Sequence, residues 1–267
     1  MTREAAAAGR FYPDSATLLN AEVDHLLAGE GPGEKAIAAV CPHAGYMYSG
    51  RVAGSVYSSI KIPKKIVLLG PNHTGVGPQF SIMTEGQWEV PNGRLPVDAP
   101  LARRVLDEVP FFTGDEAAHI FEHSLEVQLP FVVRLRPDAA IVPVVMMQAL
   151  LDYLRKAGEG LARALEADRE DVLIIASSDM SHYVPEEMAR KMDALAIEHI
   201  LKLDPEGLLQ TVSEKRISMC GAAAVAVMLY AAKLLGASEA RLTQYATSGQ
   251  ASGDYSQVVG YAGIIIK

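Results

Sequence analysis

Cysteine is almost missing from this chain. Cys41 and Cys220 are the only two in 267 residues, which excludes a disulfide-stapled scaffold and makes a reducing, cytoplasmic setting the expectation. Long apolar runs are missing too. The longest candidate, Ala222 to Leu235, is alanine-rich and broken by Lys233. It falls short of the roughly 18–20 apolar residues that cross a bilayer, so it reads as a core helix. After Met1-Thr2-Arg3-Glu4 no apolar stretch of signal-peptide length follows. Basic clusters are absent, and the net charge is -8. That speaks against a nucleic-acid surface, because phosphate contacts need grouped Lys and Arg. With 49% hydrophobic residues the chain has ample material for a core.

Two histidines close two apolar runs in the same manner. Ala36-Ile37-Ala38-Ala39-Val40 leads into Cys41-Pro42-His43, and Ile66-Val67-Leu68-Leu69-Gly70 leads into Pro71-Asn72-His73. A third run, Val172-Leu173-Ile174-Ile175-Ala176, leads into Ser177-Ser178-Asp179-Met180-Ser181-His182. Short continuous apolar runs fit strands buried on both faces of a parallel sheet. Ligands gather at the carboxyl ends of such strands. Three ends bearing histidine point to a polar site and to a metal.

Strand runs alternate with helical patterns along the chain. Helices are expected over 50–60, 101–108, 124–136 with a kink at Pro130, 151–167, 185–203 and 219–235. Further strands fit 80–83, 88–90, 140–145, 240–247 and 258–266, with a turn at Pro91-Asn92-Gly93. This rhythm predicts a single α/β domain over 1–267 with a central, mainly parallel sheet flanked by helices. No repeat, linker or low-complexity segment interrupts it.

His43 and His73 are the first candidates, since imidazole suits zinc, copper and iron. Each is followed by small residues, Ala44-Gly45 and Thr74-Gly75. A lone histidine in such a place more often caps a turn; two at equivalent strand ends favour a site. Cys220 opens an apolar helix with Ser218 as N-cap, where the helix terminus would lower the thiol pKa. A small buried hydrophobe is the equal alternative. Cys41 continues an apolar run, though an extended chain would put it on the same face as His43. Asp179 and His182, three apart, could form a carboxylate-oriented general base, or Asp179 could serve only a local turn. His123 could face the same pocket, oriented by Glu122 or Glu126. His119 looks less constrained, and His25 and His199 lie in ordinary helical patterns. The loop 248–255, Ser-Gly-Gln-Ala-Ser-Gly-Asp-Tyr, could receive an anion on backbone N–H groups or simply connect two strands.

Several of these segments, in this order, resemble the Memo family, whose prokaryotic members are called AmmeMemoRadiSam system protein B. They are Gly9-Arg10-Phe11-Tyr12-Pro13, Pro42-His43-Ala44-Gly45-Tyr46, Leu69-Gly70-Pro71-Asn72-His73, Glu122-His123-Ser124-Leu125-Glu126, Ser177 to His182, Met219-Cys220-Gly221 and Ser252-Gly253-Asp254-Tyr255. The resemblance spans nearly the whole chain. It implies a fold similar to class III extradiol dioxygenases, which are non-haem iron enzymes. It also implies metal ligands at His43, His73 and Cys220, His182 in a supporting position beside Asp179, and iron or copper as the metal. Radical-SAM and AMMECR-type proteins are implied partners.

Three functions follow as expectations. The first is a metal-dependent oxidoreductase, with His182, Asp179 and His123 as catalytic candidates; a thiolate among the ligands moves preference toward copper(I) or zinc. The second is a scaffold gripping a small molecule or peptide, with Tyr46, Tyr48, Trp88 and the 248–255 loop lining the pocket. The third is a zinc hydrolase with His182 as base.

Overall fold

The computed structural model describes residues 1–27, 33–168 and 171–267. Among them lie twelve strands, in chain order β1 (Thr2–Arg3), β2 (Ala38–Cys41), β3 (Lys65–Pro71), β4 (Phe80–Ile82), β5 (Gln87–Val90), β6 (Gly93–Pro96), β7 (Thr113–Gly114), β8 (Ala140–Met146), β9 (Val172–Ser177), β10 (His182–Val184), β11 (Ala240–Thr247) and β12 (Val258–Ile266). Nine of them form one sheet in the order β10-β12-β2-β9-β3-β8-β4-β7, with β11 added to β12. The centre, β2-β9-β3-β8, is parallel throughout. β12 and β4 join it antiparallel on either side. The sheet is therefore mixed around a parallel core.

The apolar runs dictate that core. All of β9 is buried, as are six of the seven residues in both β3 and β8. Burial on both faces removes the need for the polar alternation seen in half-exposed strands. Helices complete the layers. Tyr46–Ser59 packs on β11 and β12, and Ala222–Leu234 packs on β9 and β3 and against the helix Leu151–Leu165. Ten of the thirteen residues of Ala222–Leu234 are buried, as suits a helix apolar on all sides. A small second sheet, β1-β5-β6, closes its hairpin at the expected Pro91-Asn92 turn.

Several boundaries differ from the sequence expectation. The helix expected over 124–136 is a short 3-10 turn at Glu126–Gln128 followed by Leu129–Leu135. Pro130 sits in the first turn of that helix, where no N–H is needed, and so starts it rather than kinks it. The helix expected from Gly50 begins at Tyr46, directly after Gly45. The helix expected from Met219 begins at Ala222 with Gly221 at its cap, so Ser218 is not the N-cap. A further helix, Pro205–Lys215, is capped by Asp204 through the Gly207 N–H at 2.9 Å.

Register positions the site. Cys41 pairs with Ser177, and Pro71 with Met146. β9 lies between β2 and β3, so the two histidine-bearing ends flank Ser177 and the loop after it. His43 and His73, two strands apart, bend back over that end until their ring centroids are 5.2 Å apart.

Candidate metal centre

Three imidazoles meet above the strand ends. His43 follows β2, His73 follows β3, and His123 precedes the turn at Glu126–Gln128. Ring centroids are 5.6 Å apart for His43 and His123 and 4.7 Å for His73 and His123. Each histidine offers one ring nitrogen, and those three atoms lie within 4.8 Å of one another. In a tetrahedral set with bonds near 2.1 Å the nitrogens are roughly 3.4 Å apart, inside that bound. His43 is buried, His123 half-buried and His73 exposed, so the trio runs from the floor of the site to its rim.

The protein decides which nitrogen each ring offers. His43 Nδ1 lies 2.9 Å from Ser177 Oγ. That hydroxyl already donates to the Ser124 carbonyl at 2.7 Å and accepts from Gln128 Nε2 at 2.9 Å. Its hydrogen is spent, so His43 Nδ1 must donate and Nε2 keeps the lone pair. His73 Nδ1 lies 2.9 Å from Glu122 Oε1, and the His73 backbone N–H donates to Glu122 Oε2 at 2.5 Å. An ionised carboxylate only accepts, so a neutral His73 too keeps its lone pair on Nε2. His123 Nδ1 stands 3.5 Å from the same Glu122 oxygen.

Charge is arranged to match. Burial of Glu122 opposes its ionisation, but the His73 hydrogen bond and charge, the Ser124 N–H and His123 together hold the carboxyl down to about 2. Burial pushes His43 well below the ordinary imidazole value, and the neighbouring histidines push further. Burial likewise brings His123 down to about 4. Two neutral rings and one buried anion are what a cation site requires.

Cys220 lies beside this group. Its Sγ is 3.3 Å from His43 Nε2, and it accepts the Asp179 N–H at 3.3 Å. Gly221 allows the approach: a Cβ there would stand 2.4 Å from the Ser177 carbonyl oxygen, so only glycine fits. The expected thiol activation by a helix terminus is not what the site provides. Cys220 precedes the helix cap, and burial followed by the nearby Asp179 carboxylate pushes its thiol pKa up. The other cysteine, Cys41, is fully buried beneath the strand end and partnered with Tyr57 rather than facing the histidines.

Asp179 and His182 share the cavity wall but not the hydrogen bond expected between them. Asp179 Oδ1 accepts the His43 backbone N–H at 2.8 Å; burial raises its carboxyl above the usual range, against that N–H and the nearby histidines. His182 Nδ1 instead meets the Ser218 carbonyl at 2.8 Å. A carbonyl only accepts, so neutral His182 carries its lone pair on Nε2. Both residues line a cavity of about 710 Å³ together with the three histidines, Arg10, Tyr48 and Tyr183. Ser248, Ser252 and Asp254 of the 248–255 loop line it as well.

Other expectations are corrected. Tyr46 and Trp88 do not line this cavity. Tyr46 is buried and donates to the Val127 carbonyl at 2.8 Å, while Trp88 is fully buried under Arg3, whose guanidinium carbon is 4.4 Å from its ring centroid. His119 is fully buried against Trp88 at 5.8 Å between centroids. Glu126 does not orient His123. It forms a buried ion pair with Arg3, and accepts from Tyr12 and from the Ala6 and Ala7 N–H groups at 2.8 Å each. Arg3 also donates to the His119 carbonyl at 2.9 Å and the Glu122 carbonyl at 2.7 Å. It thereby holds the segment that carries Glu122 and His123. The roles of Arg3, Ser177, Gln128 and Ser218 were not legible in the sequence: Ser177 stood in a motif without a partner, and Ser218 read as a helix N-cap rather than as the partner of His182.

Residues 3–265 match the family described as Memo-like protein. The chain is 45% identical over 266 residues to a MEMO1 family protein of Aquifex aeolicus, covering 98% of each. It is 39% identical over 281 residues to one of Methanopyrus kandleri, covering 100% of this chain and 99% of that one. An uncharacterised Escherichia coli K12 protein of solved structure, JW3007, is 15% identical with a TM-score of 0.58 over 85% of this chain and 98% of that one. That last likeness is one of fold.

Proposed function

The chain belongs to the Memo-like protein family, and on that premise we propose that its strand-end cavity is a metal-dependent redox centre. One observation carries this reading. His43 and His73 have Nδ1 engaged by a protein partner fixed for that purpose, leaving Nε2 free, and His123 joins them beside the same carboxylate. Second partners of this kind orient ligands and raise their basicity. An all-imidazole set suits iron, copper or zinc. When bound, the metal would supply Lewis-acid or electron-transfer chemistry at positions open to the cavity.

The chain's own residues would do the rest. Glu122 keeps His73 and His123 oriented and balances the positive charge of a bound cation. Cys220, beside His43, is a fourth and softer donor; the ligand set implied by the resemblance uses it in place of His123. His182 Nε2 can take or return a proton on the cavity wall. The class III extradiol dioxygenase likeness, with O2 as co-substrate, belongs to this proposal.

The test is metal analysis of protein purified without added metal, followed by titration of His43→Ala, His123→Ala and Cys220→Ala. Loss of stoichiometric metal in the His43 and His123 variants with retention in Cys220→Ala supports the trio. Retention in His123→Ala with loss in Cys220→Ala favours the two-histidine, one-thiolate set. Full occupancy in all three variants refutes the site.

The second reading, a pocket that grips a partner segment, is favoured by the aromatic rim. Tyr48 and Tyr183 line the cavity, and Tyr183 is 73% exposed. Capture of a radical-SAM or AMMECR-type protein, weakened by Tyr183→Ala and untouched by His43→Ala, would support it.

A further inference from the structure

Asp193 is a buried carboxylate that the metal site does not use. It lies in the helix Glu186–Leu201 with no solvent exposure. Oδ1 accepts from the Ser181 N–H at 3.0 Å and from Ser181 Oγ at 2.5 Å, and Oδ2 accepts from the Tyr245 hydroxyl at 2.7 Å. Three hydrogen bonds satisfy it, but among the described residues it has no ion-pair partner; burying such a carboxylate is costly, and an apolar side chain would serve packing alone better. The strand beside it makes room. A Cβ on Gly260 would stand 1.9 Å from Asp193 Oδ2.

The same strand grips the segment that Asp193 grips. The Met180 N–H donates to the Gly260 carbonyl at 2.8 Å, and the Gly260 N–H donates to the Ser181 carbonyl at 2.9 Å. Ser181 is thus held by its N–H, its hydroxyl and its carbonyl. Asp179, two residues before it, and His182, directly after it, line the cavity. Directly afterwards Tyr183 adopts φ +56°, and the β10–β12 register shifts between His182 and Val184. A non-glycine residue in that region is strained and persists only where its surroundings over-determine it. The clamp on Ser181 is part of that determination.

We infer that Asp193 is a positioning residue of the cavity: by pinning Ser181 it fixes the corner that presents the Asp179 carboxylate and the His182 imidazole to whatever binds beside the three histidines. This rests on the cavity being the functional site. The position of His182 is set from behind by a helix that contributes no residue to the histidine group. Asp193 acts through Ser181 and touches no ligand.

The test uses the full-length protein with Asp193→Asn, which keeps shape and removes charge. Hydrogen bonds to charged groups contribute about 1.5–3 kcal/mol, so the Ser181 amide should exchange roughly 10–100-fold faster. The ring-nitrogen signals of His182 in two-bond proton–nitrogen NMR spectra should shift, while the amides of β3 and β9 keep their protection. Uniformly faster exchange across the sheet, or unchanged His182 signals, overturns the inference. Should Asp193→Asn fail to fold, Ser181→Ala removes one of the same bonds and must move the His182 signals in the same sense; unmoved signals overturn it equally. Neither readout involves a metal. Failure of the wild-type protein to load metal would therefore sink the metal reading and leave this result intact.

Discussion

Replacing Arg3 by Met should cost this protein far more than a surface arginine would. Arg3 is 2% exposed and spans the second sheet and the His123 segment. It pairs with Glu126 and donates to the carbonyls of His119, Glu122 and Glu4, the last at 2.9 Å. Its guanidinium lies over the Trp88 ring. Methionine restores much of the packing but leaves the Glu126 carboxylate buried without its cation. Breaking a buried pair from one side costs about 3–5 kcal/mol. Here Glu126 keeps three donors, from Ala6, Ala7 and Tyr12, which places the loss near the lower end, about 3–4 kcal/mol. For a domain of this size that is a fall in Tm of roughly 6–12 °C, at about 2–3 °C per kcal/mol. Urea unfolding gives the free energy, and calorimetry gives the Tm. Adding Glu126→Gln to Arg3→Met should recover part of the loss, because the stranded charge is gone. A loss below about 1 kcal/mol, or strict additivity of the two changes, would show that the pair behaves as a surface bridge and that the reasoning is wrong.

Three further outcomes are expected. Glu122→Gln should weaken metal binding about 10–100-fold, as removal of a ligand's hydrogen-bond partner does; a competition titration with a chromophoric chelator that finds wild-type affinity refutes the role given to Glu122. Gly221→Ala should destabilise by about 1–3 kcal/mol through overpacking against the Ser177 carbonyl, with the Cys220 loop moving away from His43; wild-type stability in urea would contradict the close approach. Tyr183→Gly should stabilise the fold by about 0.5–1 kcal/mol, since relief of left-handed strain of about 1–2 kcal/mol exceeds the added chain entropy of glycine. The side chain is 73% exposed and gives up little packing, so a lower midpoint in chemical denaturation would count against strain at that corner.

Apolar patterning and the residues that follow it were enough to lay down the core of the fold and the floor of the site. Unbroken apolar runs at Ala36–Val40, Ile66–Leu69 and Val172–Ala176 fit strands buried on both faces, and they form the parallel centre of the sheet with β8. Histidines placed directly after two such runs had to emerge at its carboxyl edge. β11 and β12 have the bounds their patterns predict, 240–247 and 258–266. Local signals failed where the deciding partner is remote. The segment 124–136 has helical composition throughout, yet its first residues are drawn out of the helix: Ser124 Oγ donates to the Pro71 carbonyl at 2.9 Å, and Glu126 turns to Arg3. The roles around the histidines were assigned by packing between remote segments. Sequence spacing paired Asp179 with His182, whereas folding gave Asp179 to the His43 backbone and His182 to Ser218. Which ring nitrogen His43 offers depends on Ser177, Ser124 and Gln128, from two segments far from it in the chain. A pattern of residue types can say that imidazoles will share an edge. A hydrogen bond, however, needs donor and acceptor placed to within tenths of an ångström, here between residues 36 to 136 positions apart, and that placement exists only once the sheet has closed.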